Sequence, residues 1–337
     1  MNTETPNAQN SEIPLHTLHS ALCTKYDVIV IGAGAAGLSA GLWCDELGLN
    51  TLLLEEQAEI GGQLLWIYNT IENHLGAETA VNGSELRDKF ASQINKRGFA
   101  IRTEAKVSAI DFKTALEKRV VLENGEQLSA DFLILASGVR RRKLNVPGED
   151  KFKGRGWLES GKRDINLVAG KIVCIIGGGD AAAENALMLA KVAKKVYLVH
   201  RRDEFRARPE FLEKISNNSR IETLTQTRVL QITGDERIEA VKLQKDNLPE
   251  PFQIAVDAVL LRIGVEPNSE LFRSVLETDA GGYIEIDNYC ETSVKGVFAV
   301  GDVANPLAPT ISSAVGMGAT AAKVIAGRIF LQKREQK

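Results

Sequence analysis

The chain has 337 residues, 41 of them Lys or Arg and 44 Asp or Glu, for a formal charge of −3. Hydrophobic residues at 44% and charged residues at 25% match a globular protein long enough for two cores, which excludes a disordered, collagen-like or disulfide-stapled chain. The near-neutral charge removes the electrostatic case for nucleic-acid binding, and no uninterrupted apolar run of about 18 residues predicts a membrane span.

Residues 1–24 are polar, without the basic start and apolar core of a secretory signal or an Arg-rich presequence. They read as a flexible tail with a solvated His16 and His19, and the chain is expected in the cytoplasm. The four cysteines, Cys23, Cys44, Cys174 and Cys290, are never within four residues of one another. That spacing excludes a CxxC redox pair and short-spaced zinc patterns, so no metal is expected and the thiols read as reduced.

The first apolar run, Tyr26 to Gly32, is short and β-branched, as in a strand buried on both faces of a parallel sheet. A helix follows to about Leu47, then a second strand, Thr51 to Glu55. Between strand and helix, Gly32-Ala-Gly34-Ala35-Ala36-Gly37 fits the GxGxxG pattern. The first Gly makes the tight turn, the second admits a pyrophosphate to the backbone, and the third lets helix and strand pack closely. Glu55 falls where a carboxylate holds ribose hydroxyls.

Shorter strands come next, with Glu123-Asn-Gly-Glu126 as a hairpin turn and Asp131 to Ala136 running into Ser137-Gly138. The opening pattern then returns: strand Lys171 to Gly177, helix Asp180 to Lys191, strand Lys195 to His200. Its loop, Gly177-Gly-Gly179-Asp180-Ala181-Ala182, has Ala at the third position. After its second strand stand His200, Arg201, Arg202 and Arg206 where the first unit has an acid. Arginines there bind a 2′-phosphate, so this loop should take NADPH in preference to NADH. Asp257 to Ile263 runs into Gly264, and Gly296 to Val300 leads to Gly301-Asp302 and a last helix. Pro and Gly place hinges at Asn145-Val-Pro147-Gly148 and Glu266-Pro267-Asn268.

The expected fold is α/β, with two Rossmann-like nucleotide-binding domains of three layers (ββα), the NADPH domain inserted in the FAD domain. The FAD domain would take 25–145 and 268–337, and the NADPH domain 146–267. From Tyr26 to about Arg328 the chain resembles the low-molecular-weight thioredoxin reductase group of flavoproteins. The resemblance implies FAD on Gly32, Gly34, Ala35, Ala36, Gly37, Glu55, Glu56, Gly62, Gln63, Leu64, Asn69 and Val107. It extends that site to Ala136, Ser137, Gly138, Gly301, Asp302, Thr310 and Ile311. It implies NADPH on Gly177, Gly179, Asp180, Ala181, Ala182, His200, Arg201, Arg202, Arg206, Ile263 and Gly264. A homodimer and rotation of the NADPH domain about the hinges are implied with it.

Two departures matter. Counting back from Gly177 without gaps, Ser160-Gly-Lys-Arg163-Asp164 stands where those reductases carry CxxC-Asp. Reduction of thioredoxin by the usual route is therefore not expected, Asp164 reads as a solvated or capping residue, and no residue is assigned a catalytic role. The segment Ala308-Pro309-Thr310-Ile311-Ser-Ser stands where the group has an Arg-Gln-Ala stretch near the flavin. Ferredoxin/flavodoxin–NADP reductase, which also lacks CxxC, is the type the chain is most similar to, although no C-terminal aromatic extension follows the last helix. Between Arg140 and Arg163 nine basic residues outnumber three acids, a surface suited to an acidic carrier. Trp66 and Tyr68 read as flavin neighbours or core. Other acceptors (a quinone, a small disulfide, oxygen) and a non-enzymatic nucleotide-binding redox sensor stand as alternatives.

Overall fold

The structure is a computed structural model and describes residues 25–77, 81–112 and 117–335. The tail reading for 1–24, with His16, His19 and Cys23, lies outside the described residues.

Strand β1 (Lys25–Ile31) has Val28, Ile29 and Val30 fully buried, as its continuous apolar run requires. It is followed by α1 (Ala35–Glu46), β2 (Thr51–Leu54), α2 (Gly83–Ile94), β3 (Ala100–Arg102), β4 (Val107–Asp111), β5 (Lys118–Leu122) and β6 (Gln127–Leu135). A capping box starts α2: Asn82 accepts from the Glu85 N–H while Glu85 accepts from the Asn82 N–H. The sheet runs β3-β2-β1-β6-β5-β4, parallel from β3 to β6 and antiparallel beyond. The Glu123–Glu126 turn joins β5 to β6 as expected, with the Gly125 N–H bonded to the Leu122 carbonyl.

After β7 (Val139–Arg141) the chain enters the insert: β8 (Trp157–Leu158), β9 (Ile172–Gly177), α3 (Asp180–Leu189), β10 (Lys195–Val199), α4 (Pro209–Ser216) and β11 (Ile221–Leu224). An antiparallel layer, β12 (Thr227–Thr233), β13 (Ala240–Lys245) and β14 (Phe252–Ala255), precedes β15 (Ala258–Arg262). The insert's parallel sheet runs β11-β10-β9-β15-β8. Strand β16 (Val265–Pro267) pairs antiparallel with β7, so two strands cross between the units side by side. Finally β17 (Val297–Ala299) joins the first sheet beside β6, and α5 (Ile311–Glu335) returns over it.

The first sheet is buried on both faces. Val28, Val30 and Ile134 meet Ala36 and Ala40 of α1 and Ala322 and Ile325 of α5. Ile29, Leu52 and Leu133 meet Val120, Phe272 and Leu276 on the other side. The helices lie close because Gly318 lacks a side chain: a Cβ there would stand 2.4 Å from the Ala36 carbonyl oxygen. By length and composition alone α5 could cross a membrane, since an 18-residue stretch of it has a mean hydropathy of 1.4, although its charge-interrupted sequence contains no unbroken apolar run. Here Ala314, Gly318, Ala321, Ala322, Ile325 and Ile329 form its buried face instead.

Candidate functional site

The first glycine loop has the geometry its pattern predicts. Gly32 turns the chain at φ +103°, and a Cβ on it would lie 2.4 Å from the Ala136 oxygen. A Cβ on Gly37 would lie 1.8 Å from the Gly32 oxygen, so this glycine sets the approach of helix and loop. Gly34 differs: nothing lies within 4 Å of its Cβ position, which opens on a cleft of about 1220 Å³. The protein itself does not require that glycine; a ligand against the backbone does. Gly34 also caps α1 without a side-chain bond, and no acid stands in the first turn, so the helix's free N–H groups remain available to an anion.

Glu55 is 7% exposed at the end of β2. Its Oε2 accepts from the Ala33 N–H at 2.8 Å and its Oε1 from the Gln57 N–H at 3.0 Å. Two backbone donors fix the carboxylate, and its remaining lone pairs can accept ribose hydroxyls. On the opposite wall, Gln63 donates to Asp302 Oδ2 at 2.8 Å. Burial pushes the Asp302 carboxyl up, and the Gln63 bond offsets part of that rise. Ser137 and Asn268 exchange two 2.8 Å bonds, Ser137 Oγ to the Asn268 carbonyl and Asn268 Nδ2 to the Ser137 carbonyl.

Of the residues assigned to FAD, the loop residues Gly32, Gly34, Ala35 and Ala36 line the cleft with Glu55, Glu56, Gly62, Gln63, Leu64 and Val107. So do Ala136, Ser137, Gly138, Gly301, Asp302, Thr310 and Ile311. Gly37 lies behind the loop as a packing residue, and Asn69 is exposed and apart from the lining. The structure adds Gln57, Lys106, Ser108 and Asn268, which the motif could not supply, and places Trp66 at the cleft, one of the two readings the sequence left open for it. Asn268 had one signal, its place in the Pro-marked hinge Glu266-Pro267-Asn268. Trp66 is 54% exposed at the cleft, while Tyr68 lies outside the lining.

The second loop repeats the design. Gly177 abuts the Arg262 carbonyl, where a Cβ would lie 2.1 Å from the oxygen, and nothing fills the Cβ position of Gly179 at the N-cap of α3. Asp180 in the first turn of α3 is bonded to the Arg208 backbone N–H and Nε, at 2.8 and 2.9 Å. Ala182 is buried and Ala181 exposed. His200 lies over Gly178 and stacks on Phe205 at 5.3 Å. Arg201, Arg202 and Arg206 are exposed and pair with no carboxylate among the described residues. The Arg206 N–H binds the Gly178 carbonyl, which ties the arginine segment to the loop. Ile263 is half-buried and Gly264 exposed at the end of β15, next to that loop.

In the loop 159–164, Asp164 is 5% exposed and bound by four donors. Arg163 grips it with two bonds of 2.6 and 3.1 Å, and the Glu159 and Ser160 N–H groups donate to it at 2.7 and 3.0 Å. Asp164 is thus not solvated, and its side chain does not cap the 3₁₀ turn that follows it; it braces the loop before it. Cys44, Cys174 and Cys290 are free and buried, and burial pushes their thiols up to about 12, 12 and 11. Such thiols are poor nucleophiles near neutrality. No cluster that could hold a metal occurs among the described residues.

Residues 26–318 match the pyridine nucleotide-disulphide oxidoreductase family. The chain belongs to that family. It is 35% identical over 306 residues to a thioredoxin reductase of Treponema pallidum, covering 91% of this chain and 98% of the relative. It is 31% identical over 298 residues to a 34.2 kDa protein in the rubredoxin operon of Clostridium pasteurianum, covering 88% and 95%. Among solved structures, the FR conformation of Lactococcus lactis thioredoxin reductase superposes with a TM-score of 0.77 at 31% identity, covering 89% of this chain and 97% of that one. This pyridine nucleotide-disulphide oxidoreductase therefore has the thioredoxin reductase fold, with two Rossmann-like domains. Its cofactors are FAD and NADPH, and the open Cβ positions of Gly34 and Gly179 leave room for their pyrophosphates.

Proposed function

We propose that this oxidoreductase moves electrons from NADPH through FAD to a carrier such as ferredoxin or flavodoxin, without a redox disulfide. The observation that carries the reading is the loop 159–164. Ser160 and Arg163 stand where the related reductases have sulfurs, and Asp164, the usual companion of that pair, is consumed by Arg163 and two backbone donors. Bound FAD supplies the exchange between a hydride donor and a one-electron acceptor. The protein's part is to hold it: Glu55 fixes ribose hydroxyls, the α1 N-terminus receives the pyrophosphate, and Arg201, Arg202 and Arg206 select the phosphorylated donor.

Two further features favour a carrier. The half-exposed Trp66 leaves the cleft open at one edge. Of the nine basic residues between Arg140 and Arg163, five engage carboxylates: Arg140, Arg141, Lys143, Lys153 and Arg163. Arg142, Lys151, Arg155 and Lys162 pair with no carboxylate among the described residues; the first three donate to backbone carbonyls, which leaves their charge uncompensated and able to attract an acidic partner. The relative from a rubredoxin operon points the same way.

The test is NADPH-driven cytochrome c reduction with and without added ferredoxin or flavodoxin. Turnover that requires the carrier and falls with salt is expected. Equal rates without a carrier, or turnover only with a quinone, a small disulfide or oxygen, would reject it.

A further inference from the structure

The segment that replaces the dithiol is held unusually firmly. Arg141 of β7 and Arg262 of β15 both donate to the Glu159 carbonyl, at 2.5 and 3.0 Å. Asp164 accepts from the N–H groups of Glu159 and Ser160, and the Asp164 N–H binds the Ser160 carbonyl. Asn185 Oδ1 accepts from the Gly161 N–H at 3.1 Å. Nearly every polar backbone group from Glu159 to Gly161 is therefore fixed to the insert or to β7, and Asp164 anchors the root of the Arg163 guanidinium.

The far side of that guanidinium leaves the insert. Arg163 Nη1 donates to the Tyr68 hydroxyl at 3.4 Å, and the guanidinium carbon lies 5.5 Å from the centre of the Tyr68 ring. Tyr68 comes two residues after the 3₁₀ turn Gly62–Trp66, which forms a wall of the FAD cleft. Apart from the β7–β16 ribbon and its flanks, this is the one hydrogen bond between the insert and the FAD unit among the described residues.

We propose that Arg163 is a positioning residue, a strut that sets the NADPH unit's orientation against the FAD cleft through Tyr68. Where a dithiol reductase needs a reactive pair that can be presented to a partner, this chain has a rigid loop bearing a fixed cation. A contact of this kind biases two orientations by about fivefold. In its kinetic arm the inference rests on the function proposed above; in its structural arm it does not.

The test uses the FAD-loaded protein with Cys23→Ser and dye labels on Gln93→Cys in α2 and Lys214→Cys in α4, both exposed positions. The distance distribution between the labels, read by single-molecule energy transfer without NADPH, should broaden in Arg163→Ala and in Tyr68→Ala alike. Anaerobic flavin reduction by NADPH should change in both by the same factor of about five, with no further change in the double variant. Arg163 acting only within its own loop predicts an effect of Arg163→Ala that Tyr68→Ala does not share, and that result overturns the proposal. Unchanged distances in both variants overturn it as well. If the wild type accepts no electrons from NADPH, the proposed function fails, while the distance measurement still judges the strut.

Discussion

Replacing Arg202 with Ala should separate the two nicotinamide cofactors. Arg201, Arg202 and Arg206 are exposed and pair with no carboxylate among the described residues, so their donors are available to a 2′-phosphate. A charge-assisted hydrogen bond contributes about 1.5–3 kcal/mol, and exposure to solvent puts these at the lower end. About 1.5 kcal/mol is roughly a tenfold change in affinity. Arg202→Ala should therefore raise KM for NADPH about tenfold, leave kcat and KM for NADH unchanged, and flatten the salt dependence. The fold should not suffer, because the Arg202 carbonyl keeps its bond from the Gln226 N–H. A second readout is His200: burial holds its pKa low and the Arg202 charge adds to that, so the variant should titrate higher by NMR. Equal rises in KM for NADPH and NADH would refute the reasoning, since only one of them carries the phosphate.

Other predictions follow from single contacts. Gly37→Ala puts a Cβ 1.8 Å from the Gly32 oxygen and should destabilise the protein by about 3 kcal/mol in a denaturant melt, with loss of bound flavin. Asp302→Asn should weaken FAD binding by about tenfold in a fluorescence titration, because a charge-assisted acceptor opposite Gln63 becomes a neutral one. In a Cys23→Ser background the native protein should not react with a thiol reagent until it unfolds, since Cys44, Cys174 and Cys290 are buried; their Ser variants should keep carrier-dependent activity. Burial pushes the Asp164 carboxyl up, but Arg163 and the Ser160 and Glu159 N–H groups outweigh it, so its folded pKa lies below the ordinary value. The stability it contributes is complete above the unfolded pKa of about 3.9 and is lost as pH falls through the lower folded value. Asp164→Asn should remove that acid-side loss from the pH profile of unfolding.

The two nucleotide-binding units were legible because each rests on local rules. The runs at β1 and β9 are apolar without alternation, which only a strand covered on both faces tolerates, and the glycines follow at fixed spacing. The cleft was largely legible for the same reason: Glu55, the Gly62–Leu64 turn and Asp302 sit at strand ends or motif positions. What the sequence hides depends on distant pairing. The stretch from Arg140 to Arg163 reads as a basic surface, yet Arg140 is bound by Glu266 and Glu270, more than a hundred residues on. The strap between the units appears at 139–141 and 265–267, where neither segment alone carries a strong strand signal, beside the Pro- and Gly-marked positions. Asn69, given to the flavin by the resemblance alone, is exposed and absent from the residues that line the cleft. No local pattern could pair Tyr68 with Arg163, 95 residues away.

The central claim is that flavin alone stores the electrons taken from NADPH. An anaerobic titration with NADPH, followed by flavin absorbance and repeated with dithionite, tests it most directly. The account predicts that one two-electron equivalent per bound FAD completes the reduction, with NADPH bleaching the flavin at concentrations where NADH does not. Uptake of two equivalents per FAD would reveal a redox disulfide formed by distant cysteines. That result would contradict a mechanism that runs without one.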